Sequence, residues 1–335
     1  MNADAPIDQM IMVAQRPPMD KDASSKPETA PETTSSPEQL VADLVTLLTV
    51  TPSADHHFVG SAQHMGFGRM FGGQVIAQAL QAAQATVTDG KQAHSMHAYF
   101  LRGGEEGPET DLQVAADFDG RSFANRRVVA SQTDKDGATR PILNLTASFQ
   151  RPEDGVSHDA YVMPNVPKPE DLRSDMELRR EYVDKAGITG TARKIMLKPR
   201  AVEMRTTDKL HWMNSEPREP AAHSWFKAAA PLPAHAGNEG LHRAVIAYAS
   251  DFTLLGTSAL PHGLSWMRGE LVGASLDHAI WFHRSVPADE WLLYATDSPW
   301  SGGGRGFNRG RIFTRDGALV ASVAQEGMIR RRKGT

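Results

Sequence analysis

The sequence contains no cysteine, which excludes structural disulfides, thiolate zinc sites and a cysteine nucleophile, and leaves the chain indifferent to the redox state of its compartment. It also lacks any apolar run near the roughly 18 residues that a membrane-crossing helix needs. The N-terminus does not have the basic-then-apolar build of a secretory leader, and Lys333-Gly-Thr335 is not a peroxisomal Ser-Lys-Leu address. Neither acidic nor basic residues are in large excess. The net charge is -4, unlike a general polyanion binder, and Arg330-Arg-Arg-Lys333 reads as a solvated end. These absences predict a cytoplasmic protein with no nucleic-acid partner and no membrane insertion.

Several catalytic signatures are missing too. No Gly-x-Ser-x-Gly elbow appears, because Gly263-Leu-Ser265 lacks its second glycine, so a covalent serine enzyme is not expected. None of the thirteen histidines sits in a His-Glu-x-x-His frame, and strand histidines alternating with apolar residues read as packed or surface groups, so no metal site is expected. Ser301-Gly-Gly-Gly-Arg-Gly306 lacks the Lys-Ser/Thr ending of a nucleotide-hydrolysing loop and precedes a strand. Two readings of that segment stay open: a phosphate contact through Arg305 or Arg309, or a hairpin with solvated arginines.

What the chain does have is a repeat. Tyr99-Phe-Leu-Arg102, Gly120-Arg-Ser-Phe-Ala-Asn-Arg-Arg-Val128, Gly137 and a strand ending at Gln150 recur in order as Trp281-Phe-His-Arg284, Gly304-Arg-Gly-Phe-Asn-Arg-Gly-Arg-Ile312, Gly317 and a strand reaching Gln325. The offset is near half of the 335 residues, too long for a solenoid and right for two copies of a domain. With 40% hydrophobic and 23% charged residues, each copy is able to bury a core.

Residues 1–36 are rich in Pro, Ser, Thr and acids and poor in apolar side chains, which predicts a disordered tail. Ser36, Pro37 and Gln39 form a capping-box pattern ahead of a stripe of Leu40, Val41, Leu44, Leu47 and Leu48. The first copy, 37–150, then reads as one strand from His57, a small-residue helix over 71–87 and strands over 93–102, 111–118, 123–132 and 141–150. Residues 151–197 read as a linker with one solvated helix. The second copy, 198–330, follows with strands at 202–205 and 210–213, a helix over 238–255, and strands at 271–284, 291–297, 305–314 and 318–328. One long helix with antiparallel strands in each copy is an α+β pattern.

Comparison of the copies brings up Asp251. It falls among Ala244, Ala247 and Leu254 on a small-residue face of the second helix, where a carboxylate is poorly solvated and its basicity is set by its neighbours. The first helix offers Gln74 and Gln78 and no acid. Two readings remain at this point: a tuned general base, or an aspartate merely hydrogen-bonded near a helix end.

Phe71-Gly-Gly-Gln-Val75, His94-Ser-Met-His-Ala-Tyr-Phe-Leu-Arg102, Tyr248-Ala-Ser-Asp-Phe252, Pro261-His-Gly263, Ser275-Leu-Asp-His278, Trp281-Phe-His-Arg284, Glu290-Trp-Leu-Leu-Tyr294, Arg305-Gly-Phe307 and Gln325-Glu-Gly327 resemble the acyl-CoA thioesterase II (TesB-like) family, in order over about residues 38–330. The resemblance implies a tandem double hotdog fold, each copy wrapping an antiparallel sheet around one long helix. It implies hydrolysis of medium- to long-chain fatty acyl-CoA to free acid and CoA, with no metal and no organic cofactor, and a homodimer or homotetramer. The family's catalytic Asp, Thr or Ser, and Gln match Asp251, Ser275 and Gln325, all in the second copy.

These residue types suit a thioester: Asp251 as general base for water, with Ser275 and Gln325 fixing that water and the carboxylate in one hydrogen-bond network. Substrate contacts are expected from Gly72, Gly73 and Gln74 at the start of the first long helix. The CoA phosphates need cations, for which Arg121, Arg305 and Arg309, then Arg126, Arg127 and Arg311, are the repeated candidates. Two other readings stay in play: a hotdog enoyl-CoA hydratase, which needs an Asp-His pair, and a non-catalytic acyl-CoA binding or sensing module.

Overall fold

Ser36 opens the first helix. Its hydroxyl accepts the backbone N–H of Gln39, Pro37 takes the first helical position, and α1 (Pro37–Leu48) buries Val41, Leu44, Leu47 and Leu48 on one stripe. The Gln39 side chain bonds Asp43 instead of reaching back to Ser36, so half of the expected capping box forms. The computed structural model describes residues 35–332 except positions 67, 209, 211–215, 234–238, 265, 267 and 268. Residues 1–34 of the expected tail 1–36 and most of the expected strand 210–213 therefore lie outside the described residues.

The first half continues with β1 (Thr51–Ala54), β2 (His57–Gly60), α2 (Gly72–Ala85), β3 (Gln92–Phe100), β4 (Thr110–Asp119), β5 (Phe123–Thr133) and β6 (Thr139–Gln150). After α3 (Asp175–Lys185) and α4 (Gly190–Met196), the second half runs β7 (Val202–Thr206), β8 (Ala221–Ala228), α5 (Glu239–Ser250), α6 (Leu254–Thr257), β9 (Leu271–Ser275), β10 (Asp277–Phe282), β11 (Leu292–Gly302), β12 (Arg305–Thr314) and β13 (Leu319–Arg331). This is the expected α+β pattern of a long helix and an antiparallel sheet, made twice.

The two sheets fuse. One 13-stranded sheet runs β1-β2-β4-β5-β6-β3-β10-β13-β12-β11-β8-β7, with β9 beside β13. The halves join through the antiparallel pair β3–β10, where His97 pairs with Ala279. The offset that superposes Tyr99 on Trp281 also superposes His97 on Ala279, so a pseudo-two-fold axis passes through this pair. The long helices α2 and α5 lie antiparallel in the interior. Gly240 at the start of α5 approaches Gln81 and Gln84 near the end of α2, while Gly72 at the start of α2 approaches Asp251 just past α5. Fully buried Ala77, Ala79, Ala82, Ala83, Ala244 and Ala247 let both helices pack close, and one apolar cluster spans the two halves.

Four departures from the sequence reading have physical causes. Residues 151–197 carry two helices, not one, and Val183 of α3 packs with Met196 and Leu197 in a small core of its own. β8 escapes alternation because both its faces are covered: Ser224, Trp225 and Phe226 are all buried, and Trp225 donates its indole N–H to Pro167 O at 2.9 Å. The strand 271–284 is two strands, broken at Leu276, whose carbonyl accepts from Phe100 and whose N–H donates to Glu326. The helix 238–255 stops at Ser250. There Tyr294 donates its hydroxyl to the Ser250 carbonyl at 3.0 Å, occupying the acceptor that the N–H of Leu254 would use in a continued helix.

A shared core predicts joint unfolding. All six tryptophans lie in the second half, so tryptophan fluorescence reports that half alone while far-UV circular dichroism reports both. Urea titrations followed by the two probes are expected to coincide; separated midpoints would contradict a single cooperative unit.

Candidate active site

The turn after α5 holds Asp251, not the helix itself. Ser250 donates its hydroxyl back to Ala247 O and the N–H of Phe252 bonds Ala249 O, tightening the chain so that Asp251 turns inward, 7% exposed. Ser275 ends β9 and Gln325 sits in the middle of β13, 7% and 0% exposed. The Gln325 amide donates to Asp251 Oδ1 at 3.1 Å and to Ser275 Oγ, and the Ser275 hydroxyl donates to Asp251 Oδ1 at 3.4 Å. All three residues expected to be catalytic are thus brought together from three elements.

The first half completes the site. A Cβ on Gly72 would lie 2.5 Å from Asp251 Oδ2, and one on Gly73 would lie 2.4 Å from both Tyr248 O and the Phe71 ring. Only glycine lets the start of α2 press against the end of α5. The helix has no side-chain N-cap, which leaves its first N–H groups available to the carboxylate side of the site. Gln74, an expected substrate contact, donates its amide to Ser61 O at 3.0 Å, and Gln78 donates to Ser61 O and Leu47 O, so both tether a loop.

Burial dominates the electrostatics. It pushes the Asp251 carboxyl from 3.8 up to about 7, against smaller downward pulls from Gln325, the Gly73 amide and Ser275. Among the described residues no guanidinium or ammonium group offsets that penalty. At the pseudo-symmetric corner, beside the start of α5, Arg243 instead bonds Gln92 and Ser285 at 2.7 Å and Glu239 at 3.3 Å. That corner holds a neutralised ion pair where the site holds an unneutralised acid.

A cavity of about 30 Å³ reaches Ser275, Ala274 and Gly72 and is walled by Met70, Phe100 and Ile142. A water needs about 10–15 Å³ on this measure, so the cavity takes water beside the triad. Arg102, Gly103 and Gly104 also line it, and Arg102, which donates to Pro141 O at 2.9 Å, is a cation that the sequence reading noticed only as part of a repeat.

The arginines expected to meet CoA lie elsewhere. Arg305 and Arg309 are exposed and alternate with buried Gly306 and Asn308, so they stand on the sheet face opposite Gln325. Arg305 pairs with Glu326 at 3.4 Å and Arg309 with Asp297 at 2.6 Å. Arg121 is exposed in the β4–β5 turn. Arg126 is buried against Thr86 and Asp119, Arg127 pairs with Asp117, and Arg311 with Asp297. Among the described residues no cluster of His, Asp or Glu could hold a metal.

The residue that sequence reasoning missed is His278. It is fully buried, with Nδ1 4.0 Å from Asp251 Oδ1 and Nε2 2.9 Å from Ser250 Oγ. Ser275 and His278 are three residues apart, a spacing that puts them on opposite faces of an unbroken strand. The irregularity at Leu276 turns both inward.

The raised Asp251 pKa carries a stability consequence with a definite sign. Below pH 3.8 the carboxyl is protonated in both states and has no effect. As pH rises from about 4 to about 7 the unfolded chain releases the proton that the folded protein keeps, so stability falls, and above about 7 the full penalty applies. Asp251→Asn is therefore expected to raise Tm at pH 8 and leave it near wild type at pH 4. An unchanged or lowered Tm at pH 8 would show that the carboxylate is better solvated than the geometry indicates.

Comparisons with known proteins bear on the family and the fold. The family profile described as acyl-CoA thioesterase N-terminal domain matches residues 61–150, and the C-terminal domain profile matches residues 169–329. Human acyl-coenzyme A thioesterase 8 is 34% identical over 291 residues, 86% of this chain and 88% of that protein. Haemophilus influenzae acyl-CoA thioesterase 2 is 34% identical, with 87% of this chain and 98% of that one covered. The crystal structure of an acyl-CoA thioesterase II, TesB2, from Mycobacterium marinum has 35% identity and a TM-score of 0.68, covering 88% of this chain and 99% of that one. A hotdog protein from Alicyclobacillus acidocaldarius, 16% identical with a TM-score of 0.66 over 87% and 98% of the two chains, shares the fold alone. With both halves matched and a third of residues identical over most of its length, the chain belongs to the TesB-like acyl-CoA thioesterase II family of tandem double hotdog proteins.

Proposed function

We propose that the protein hydrolyses medium- to long-chain fatty acyl-CoA to fatty acid and CoA, with Asp251 as general base and Ser275 and Gln325 as its partners. The observation that carries this reading is the convergence of Ser275 and Gln325 on the buried Asp251 carboxylate beside a water-sized cavity. A base with a pKa near 7 is half ionised at neutral pH and still strong enough to draw a proton from water. Ser275, at the cavity wall, holds the attacking water, while Gln325 fixes the carboxylate and the serine together. The partly positive start of α2, which has no side-chain cap, faces the developing oxyanion. CoA leaves as a thiolate, so Asp251 returns the proton to sulfur.

Arg121, Arg305 and Arg309 have no part in this chemical step. The acyl chain takes an apolar path between helix and sheet, gaining about 0.8 kcal/mol for each methylene buried. That path needs several hundred Å³, so substrate entry widens the cavity at its apolar walls, Met70, Phe100 and Ile142. The proximity of Asp251 and His278 brings the hydratase reading forward. Against it, one ring nitrogen is bonded to Ser250 and the other faces Asp251, which leaves no nitrogen for an enoyl substrate.

The reading extends to a cytoplasmic homodimer or homotetramer. The terminal strands β1 and β7 each keep one edge unpaired within the sheet, which suits pairing between chains. Light scattering after size exclusion is expected to give two or four chains; a monomer at micromolar concentration overturns this part.

Mixing the protein with palmitoyl-CoA and a thiol reagent tests the activity. CoA release is expected in wild type and a loss of about 100-fold or more in Asp251→Asn, and release that survives the substitution undiminished would sink the assigned role. Saturable binding without release would favour a sensing module, and hydration of an enoyl-CoA would favour a hydratase. A series from butyryl- to stearoyl-CoA is expected to peak among the medium and long chains.

A further inference from the structure

The cavity beside the triad runs from buried Ser275 and Gly72 to exposed Arg102 and Gly103, so Arg102 stands where it opens to solvent. Among the described residues its guanidinium makes one hydrogen bond, to Pro141 O at 2.9 Å, and no ion pair. One of its five N–H donors is used, and the other four have no protein acceptor. Arg126, Arg127, Arg305, Arg309 and Arg311 differ: each already holds an aspartate or a glutamate.

The repeat shows what an arginine at this position holds. Arg284 is its counterpart in the second copy, and the local hydrogen bonding is the same. The N–H groups of Leu101 and Arg102 converge on Ile142 O at 2.8 and 3.3 Å, and those of His283 and Arg284 on Val320 O at 2.7 and 3.2 Å. Each guanidinium then donates to the carbonyl one residue earlier, that of Pro141 or of Leu319. Beyond that the copies diverge. Arg284 donates to Asp159 Oδ2 at 3.3 Å, and the Leu319 N–H donates to the same oxygen at 3.1 Å. That carboxylate comes from the segment between the copies. Among the described residues no acid takes its place at Arg102. Pro141, standing where Leu319 stands, has no N–H to add, so an anion there is held by the guanidinium without that second donor.

An alkyl chain gains nothing from a guanidinium, whereas a phosphate accepts two parallel N–H bonds from its fork. The phosphates are also the charged groups of a fatty acyl-CoA. We propose that Arg102 binds a phosphate group of the CoA moiety at the mouth of the cavity, in the way that Arg284 binds Asp159. This inference rests on the thioesterase reading above and gives the substrate a direction. The thioester lies at Asp251, the CoA arm leaves past Arg102 and Gly103, and the apolar walls Met70, Phe100 and Ile142 are left to the acyl chain. Arg102 is anchored by a single bond to a carbonyl, so it turns onto a phosphate without breaking an ion pair.

Calorimetric titration with CoA, which needs no turnover, tests this in wild type, Arg102→Gln, Arg102→Lys and Arg284→Gln. The Kd for CoA is expected to rise about tenfold in Arg102→Gln, by less in Arg102→Lys, which keeps the charge and loses the fork, and not at all in Arg284→Gln. In the CoA-release assay Arg102→Gln is expected to raise KM for palmitoyl-CoA by a similar factor while kcat stays within about twofold. Its KM for palmitoyl-pantetheine, which carries no phosphate, is expected to match wild type. An unchanged Kd for CoA in Arg102→Gln would overturn the inference, as would an equal loss on palmitoyl-pantetheine or an equal weakening in Arg284→Gln. A wild type that binds CoA and releases none from palmitoyl-CoA would instead strike at the thioesterase reading, and the calorimetry would still decide the role of Arg102.

Discussion

Desolvation of one carboxylate is the constraint on which the site depends. Three hydrogen-bonding groups, Gln325, Gly73 and Ser275, each favour the charged form of Asp251, and burial still outweighs them together. A single arginine in that space would reverse the balance and yield a structural ion pair with no basicity at neutral pH. The protein contains a buried arginine at the start of α5, where Arg243 bonds Gln92, Ser285 and Glu239. The turn after α5 holds a buried acid, and the start of the same helix holds a buried arginine in an ion pair.

The site is also why both halves are needed. Asp251, Ser275, His278 and Gln325 come from the second half, yet the wall that dries them is Gly72, Phe100 and the start of α2 from the first. The antiparallel packing of α2 and α5 sets the uncapped, partly positive start of one helix against the end of the other. The fused sheet through β3–β10 holds that arrangement rigidly. A carboxylate that must stay dry and a helix terminus that must stay close both require a backbone held to fractions of an ångström.

Much of this was legible in the sequence, for identifiable reasons. The repeat and the period-2 patterns located most strands, and the Ser36-Pro37 cap located α1. The Asp251, Ser275 and Gln325 set followed from family resemblance more than from residue chemistry. What escaped was what tertiary contacts decide. Tyr294, 44 residues from Ser250, ends the helix before Asp251, and no local propensity shows it. The break at Leu276 hides His278 by reversing the face that strand parity assigns. β8 was lost because residues 163–172 cover its outer face and remove its alternation. Strand parity also places Arg305 and Asn308, an odd number of positions apart, on opposite faces of β12, as the structure has them.

The central claim is that Asp251 is a carboxyl kept largely free of solvent and cations, and so basic enough to act on water at neutral pH. Site-specific titration by carbon NMR, with the Asp251 carboxyl assigned by comparison with Asp251→Asn, measures this without any substrate. The account predicts a carboxyl that titrates near pH 7. A midpoint at the ordinary aspartate value near 3.8 would contradict it.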